Sequence, residues 1–133
     1  MIGVFVNSKR VPYARLIANG TKWFETRTRN TLRALAGKRV AIIETGKKHT
    51  NIIGFATIGE PHFITDQREW NLLRCWTCIP VGDKFDNIEN GKWIYRMIDA
   101  EETTPYPLPS NAIRHGRVWC EFKSFNQSLM VTK

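Results

Sequence analysis

Between Pro12 and Arg29 the chain reads PYARLIANGTKWFETRTR, and this stretch leaves the backbone few choices. Pro12 suits the first turn of a helix, where its missing N–H would have had no partner. Tyr13, Leu16 and Ile17 fall on one face at helical spacing. Asn19-Gly20 supplies the stop, because glycine enters the left-handed region without a Cβ clash. A strand is expected from about Trp23 to Thr28, and charge gathers at its start as Lys22, Glu25 and Arg27. In a regular strand positions 22 and 25 point to opposite faces. The three share one cleft only if Lys22 stays in the turn and the strand begins after it. Glu25 and Arg27, two apart, then point the same way. A carboxylate between two cations stays ionised and can accept hydrogen bonds from a base. The lysine offers phosphate a point charge and the arginine a fork. The alternative is a purely structural Glu25–Arg27 ion pair across the mouth of the fold.

With 133 residues, 42% of them hydrophobic, the chain can build one core and is not a disordered segment. A single domain over 1–125 is expected, followed by a loosely held polar tail, 126–133. The net charge of +8 is unevenly spread. Residues 1–50 hold eleven Lys and Arg against Glu25 and Glu44, giving +9, and residues 51–133 carry −1. That asymmetry favours polyanionic partners, RNA or a nucleotide first, since basic side chains displace counterions from phosphate. A solvated basic face is the alternative. No apolar run is long enough for a membrane span, and the N-terminal order, apolar before basic, is the reverse of a secretory signal, so a cytoplasmic location is expected. The three cysteines, Cys75, Cys78 and Cys120, fit reduced thiols.

Along the chain, strands are expected over Met1–Asn7, Arg39–Glu44, Asn51–Ile58, Trp93–Ile98 and Val118–Phe122, besides the one after Gly20. Thr31–Ala36 reads as one helical turn ended by Gly37. Gly54 marks a bulge or a close backbone approach. Gly59-Glu60-Pro61 is expected to break the strand before it. Thr65–Arg74 reads as a helix capped by Thr65. Cys75–Gly91 reads as an irregular excursion with room for a short strand. Pro105, Pro107 and Pro109 make an extended, loop-like segment. Without βαβ alternation a doubly wound sheet is disfavoured. The fold class is α+β, a small curved sheet or barrel of five or six mostly antiparallel strands with two or three flanking helices.

The run Pro12-Tyr13-Ala14-Arg15-Leu16-Ile17-Ala18-Asn19-Gly20-Thr21-Lys22-Trp23-Phe24-Glu25-Thr26-Arg27 resembles the signature of ASCH domains, P-(W/Y)-A-x-L-I-x-x-G-x-K-x-x-E-x-R. Gly37-Lys38-Arg39-Val40-Ala41-Ile42 resembles that family's G-x-R-(V/L)-x-I strand. The close match covers roughly residues 10–50. The resemblance implies a PUA-like β-barrel with helices closing a cleft, and recognition of RNA or a modified nucleoside. Some ASCH proteins hydrolyse the amide of N4-acetylcytidine with a lysine, a threonine and a glutamate. Lys22 matches that lysine, Glu25 stands where the threonine would be, Thr26 faces away in a regular strand, and Glu69 matches the glutamate only by rough location. Other members cleave RNA. As an enzyme, a ribonuclease or an amidohydrolase, the chain would rely on Lys22 and Glu25, with Tyr13, Lys47 and Lys48 available nearby. As a binding domain it would use Tyr13, Lys22, Glu25 and Arg27, with Arg29, Lys47 and Lys48 on the nucleic-acid backbone. A protein-interaction module is the third reading.

Other features are less telling. Lys47-Lys48-His49 is a basic loop suited to phosphate contact or to solvent. Cys75-Trp76-Thr77-Cys78 has C-x-x-C spacing, but Cys120, His49, His62 and His115 do not complete a zinc set, and buried structural cysteines are expected. No metal or cofactor is called for. Tyr13, Trp23 and Trp76 are candidates for stacking on bases, worth about 1–3 kcal/mol per base; Phe24, Phe55, Trp93 and Trp119 read as core.

Overall fold

A computed structural model describes residues 1–123 of the chain, so the expected tail, 126–133, lies outside the described residues. The chain runs β1 (Ile2–Asn7), α1 (Tyr13–Ala18), β2 (Phe24–Arg27), a 3-10 turn (Arg33–Leu35), β3 (Arg39–Thr45), β4 (Asn51–Ile64), α2 (Gln67–Leu72), α3 (Arg74–Thr77), β5 (Lys92–Pro107), β6 (Ile113–His115) and β7 (Trp119–Glu121). All seven strands join one sheet in the order β2-β5-β4-β3-β1-β7-β6. The β1–β3 pair is parallel and the other pairs are antiparallel. This is an α+β fold with one strand more than the upper expectation. Its outer strands, β2 and β6, do not pair with each other, so the sheet is open rather than a barrel closed by backbone bonds.

The central strands are buried on both faces, as a continuous β-branched run requires. Val4, Val6, Val40 and Ile42 pack on the side covered by α1, with Ile17, Ala14 and Ala18. Phe5, Ala41, Ile43, Phe55 and Phe122 form a second cluster on the other side. The buried face of α1 therefore uses Ala14 and Ala18 where Leu16 was expected, and Leu16 is half-buried. Small residues let α1 lie close to β4. A side chain at Gly54 would run into the Glu101 carbonyl and sit 2.8 Å from the Ala18 Cβ. Gly54 also falls at a register shift of the β4–β5 ladder, so the expected bulge and close approach are both present.

Several local expectations are not met, two of them because of long-range pairing. Strand β4 does not stop at Gly59-Glu60-Pro61, and Pro61 pairs with Tyr95. The β3 partner ends opposite Thr57, so Pro61 sits where one edge of β4 is open, a position that tolerates proline. The proline-rich segment after Glu102 is likewise strand as far as Pro107, because β2 covers β5 only over Trp93–Arg96, and Pro109 lies in the loop beyond it, as expected. The α2 cap is Asp66, whose Oδ1 accepts from the Arg68 N–H at 3.0 Å, not Thr65. Residues 78–91 contain no strand, and β6 arises where none was expected. Among the described residues no helix is long and apolar enough to cross a membrane.

Candidate functional site

Ser8 fixes the entry to α1: its Oγ accepts the Ala14 N–H at 3.0 Å in a buried position, a capping bond from six residues away. Pro12 stands just before the first helical residue. At the other end Gly20 takes φ +83° and the Lys22 N–H reaches back to the Leu16 carbonyl at 2.8 Å. Lys22 is thus still in the turn, and β2 starts at Phe24. That is the condition under which positions 22, 25 and 27 can meet.

They do meet. Lys22, Glu25 and Arg27 border a single cavity of about 520 Å³, together with Tyr13 and Phe85. Arg27 donates to Glu25 Oε2 from Nε at 3.1 Å and from a terminal nitrogen at 2.8 Å, and that nitrogen also donates to the Phe5 carbonyl at 2.9 Å. The structural ion pair and the shared cleft therefore coexist. Glu25 Oε1 has no hydrogen-bond partner among the described residues and remains able to accept from a ligand.

Burial grades inward: the Arg27 side chain is 18% exposed and that of Glu25 9%, and Lys22 as a residue is 2% exposed. Lys22 is the most buried of the three and lies at the floor of the cavity. Its Nζ donates to the Thr77 carbonyl and lies 4.9 Å from the centre of the Tyr13 ring. Desolvation brings the ammonium down to about 8, against an opposing pull from Glu25. The Tyr13 hydroxyl is buried without a hydrogen-bond partner, and burial pushes it up to about 12.

One wall comes from the excursion after α3, through Ile79 and Phe85. Asp86 holds this segment: it accepts from Trp70 Nε1 at 2.8 Å, from the Gly82 N–H at 2.9 Å and from Arg74 at 2.9 Å. The Trp70 bond leads these in holding its carboxyl down at about 2. Asp83 forms a two-pronged pair with Arg10, at 2.7 and 3.1 Å, tying the excursion to the start of the chain.

Of the expected site residues, Tyr13, Lys22, Glu25 and Arg27 border the cavity, and Arg29, Lys47 and Lys48 do not. Arg29 lies beyond the end of β2 in an exposed turn. Lys47 and Lys48 are exposed in the loop between Thr45 and Thr50, both of which do border the cavity. Thr26, expected to face away, is also among the bordering residues. Glu69 is not; it lies 3.3 Å from His62 on an exposed surface. Trp23 and Trp76 stack on each other, ring centres 3.9 Å apart, with Arg96 over Trp23 at 4.1 Å, and neither borders the cavity. Trp23 is thus engaged by both Trp76 and Arg96, while Trp76 stays exposed at the surface. Phe55 is fully buried, and Phe24, Trp93 and Trp119 pack against the core as expected.

Cys75 is exposed and Cys78 half-buried, contrary to the expected burial; only Cys120 is sealed. The cause is that the C-x-x-C run forms α3 at the surface, with Cys78 leaving it in the left-handed region at φ 59°. Among the described residues no group of three or more His, Cys, Asp or Glu could hold a metal ion.

Arg114 and Arg117, not among the expected site residues, border the same cavity from the β6–β7 hairpin. The charge tally placed all excess positive charge in residues 1–50, but folding carries two more arginines to that site. Their only local signal was the Arg-His-Gly-Arg run itself.

This open α+β sheet with its flanking helices is the fold of solved ASCH structures. It superposes on the crystal structure of ASCH from Zymomonas mobilis with a TM-score of 0.65, at 20% identity over 80% of this chain and 73% of that one. Two single-substitution variants of the Zymomonas protein also give 0.65, at 21% identity, covering 80% of this chain and 74% and 76% of theirs. No protein-family model and no curated protein matches the sequence.

Proposed function

We propose that the chain is an RNA-binding domain that seats single-stranded RNA, or one nucleotide of it, in the cavity above Lys22. The observation that carries this reading is the convergence of Lys22, Glu25 and Arg27 on one hollow of about 520 Å³. That volume lies in the range of small-ligand and cofactor sites, roughly 300–1,000 Å³. Glu25 Oε1 accepts from a base, Lys22 and Arg27 supply positive potential, and the Tyr13 ring offers an apolar wall. Arg29, Lys47 and Lys48 contact the backbone of the strand outside the cavity. A cytoplasmic location belongs to the same reading, as does a PUA-like relationship of the open sheet.

The test is equilibrium binding of labelled single-stranded RNA across a salt series. Lys22→Ala and Arg27→Ala are expected to weaken binding, and affinity should fall steeply with salt. Salt-independent binding, or none, refutes the reading; capture of a protein partner that survives nuclease treatment would favour an interaction module.

A second reading rests on the ammonium of Lys22, which sits at about 8 and so can exchange a proton near neutral pH. On that reading Lys22 and Glu25 act catalytically, on RNA or on N4-acetylcytidine. Turnover of either substrate that Lys22→Ala abolishes supports the enzyme; tight binding without turnover supports the binding domain.

A further inference from the structure

The cavity is chemically polarised from floor to mouth. Among the described residues the only acid bordering it is Glu25, near the floor and bound to Arg27. Lys22 is likewise engaged, by Thr77 and the Tyr13 ring. The two remaining cations, Arg114 and Arg117, come from the exposed β6–β7 hairpin, and neither has a carboxylate partner among the described residues.

The hairpin's geometry sets Arg114 toward the cavity. It is docked on β1 by the β7 ladder and by the Phe5 N–H, which donates to the Val118 carbonyl at 3.0 Å. His115 stacks on Trp119, ring centres 4.0 Å apart, and lies 2.8 Å from Glu121. Successive side chains of a strand point to opposite faces, so locking His115 to Trp119 turns Arg114 the other way. There its guanidinium sits over the Phe5 ring at 5.0 Å, while Arg27 holds the Phe5 carbonyl. Two guanidinium groups thus meet around Phe5, the inner one neutralised by Glu25 and the outer one not.

We infer that Arg114 and Arg117 form a phosphate subsite at the cavity mouth, so that a ligand enters base first and binds more tightly when it carries a phosphate. This rests on reading the cavity as a nucleotide site. A phosphate is repelled by the Glu25 carboxylate and attracted by the unpaired guanidinium groups. The neutral base, with N–H donors, suits the floor. Guanidinium forks match phosphate oxygens two at a time, and uncompensated arginines are held apart by mutual repulsion until an anion sits between them. The phosphate is either a terminal monoester or the diester of an RNA chain.

The experiment measures binding of the four nucleosides, their 5′-monophosphates and dinucleoside monophosphates to the wild type and to the R114Q/R117Q double variant. The wild type should prefer monophosphates over nucleosides by about tenfold or more. The double variant should lose that preference, keep the wild-type affinity for nucleosides and melt as the wild type does. A double variant that retains the preference overturns the subsite and leaves the cavity reading standing. A wild type that binds none of these ligands sinks the cavity reading and the subsite with it. The dinucleotide arm separates the two sources: affinity at least equal to the monophosphate identifies the diester, and a loss identifies the terminal group.

Discussion

Lys22→Met should stabilise the fold while removing its ligand affinity. The Lys22 ammonium sits at about 8 rather than its ordinary 10.5, chiefly because burial strips its water. At neutral pH, holding the charge in the folded state therefore costs about 3 kcal/mol. Methionine fills a similar volume without charge. It forfeits the bond to the Thr77 carbonyl, about 1–2 kcal/mol, leaving a net gain of about 1–2 kcal/mol. For a domain of this length that is a rise of about 4–8 °C in Tm. The sign with pH follows from proton counting. Between pH 8 and 10.5 the unfolded chain holds a proton on this lysine that the folded chain has released, so wild-type stability gains with pH across that window. The advantage of Lys22→Met should therefore be full at pH 7 and gone near pH 10. Thermal melts of both proteins at pH 7, 8.5 and 10, compared as differences, isolate this group from the titrating tyrosines and cysteines. A variant that melts below the wild type at pH 7, or an advantage that does not change with pH, would refute the reasoning.

Three other outcomes are expected. Asp86→Ala unfastens the wall that carries Phe85 and strands the Trp70 N–H in a part-buried place, a loss of about 2–3 kcal/mol readable by urea melts. Its carboxyl titrates at about 2 in the fold against an ordinary 3.8, so its stabilising effect is present above pH 3.8, is lost as pH falls through 2, and should be missing from the variant's acid titration. Affinity for an adenine- or cytosine-rich single strand should drop about tenfold between pH 7 and 9 as Lys22 deprotonates, and Lys22→Arg should flatten that profile when binding is followed by anisotropy. Gly54→Val drives a side chain into the Glu101 carbonyl and Ala18, so it should cost more than about 3 kcal/mol or prevent folding, as read by yield and near-UV dichroism.

The helix, turn and strand over residues 13–27 were legible because their signals are local: a proline before the helix, a glycine at φ +83° after it, and a charge spacing that works only if Lys22 stays in the turn. The buried run of β3 announced itself by composition. What was not legible depends on partners far along the chain. Pro61 looks like a breaker until one sees that β3 has already ended beside it. Pro105 and Pro107 look like a loop until β5 is known to have an uncovered edge there. Ser8 is an unremarked polar residue until the fold brings it under Ala14. The cavity was half visible in the same way. Its floor lies within one short stretch, whereas Phe85, Arg114 and Arg117 arrive from elements 60 to 90 residues away, and no local spacing reports that they converge.

The central claim is that ligand occupies the hollow framed by positions 22, 25 and 27. Titrating isotope-labelled protein with a short single-stranded RNA and mapping the backbone amide shifts tests it most directly. Saturable shifts are expected, concentrated at Tyr13, Lys22, Glu25, Arg27 and the 114–117 hairpin. Shifts that leave these residues untouched and gather elsewhere, or no shifts at any concentration, would contradict it.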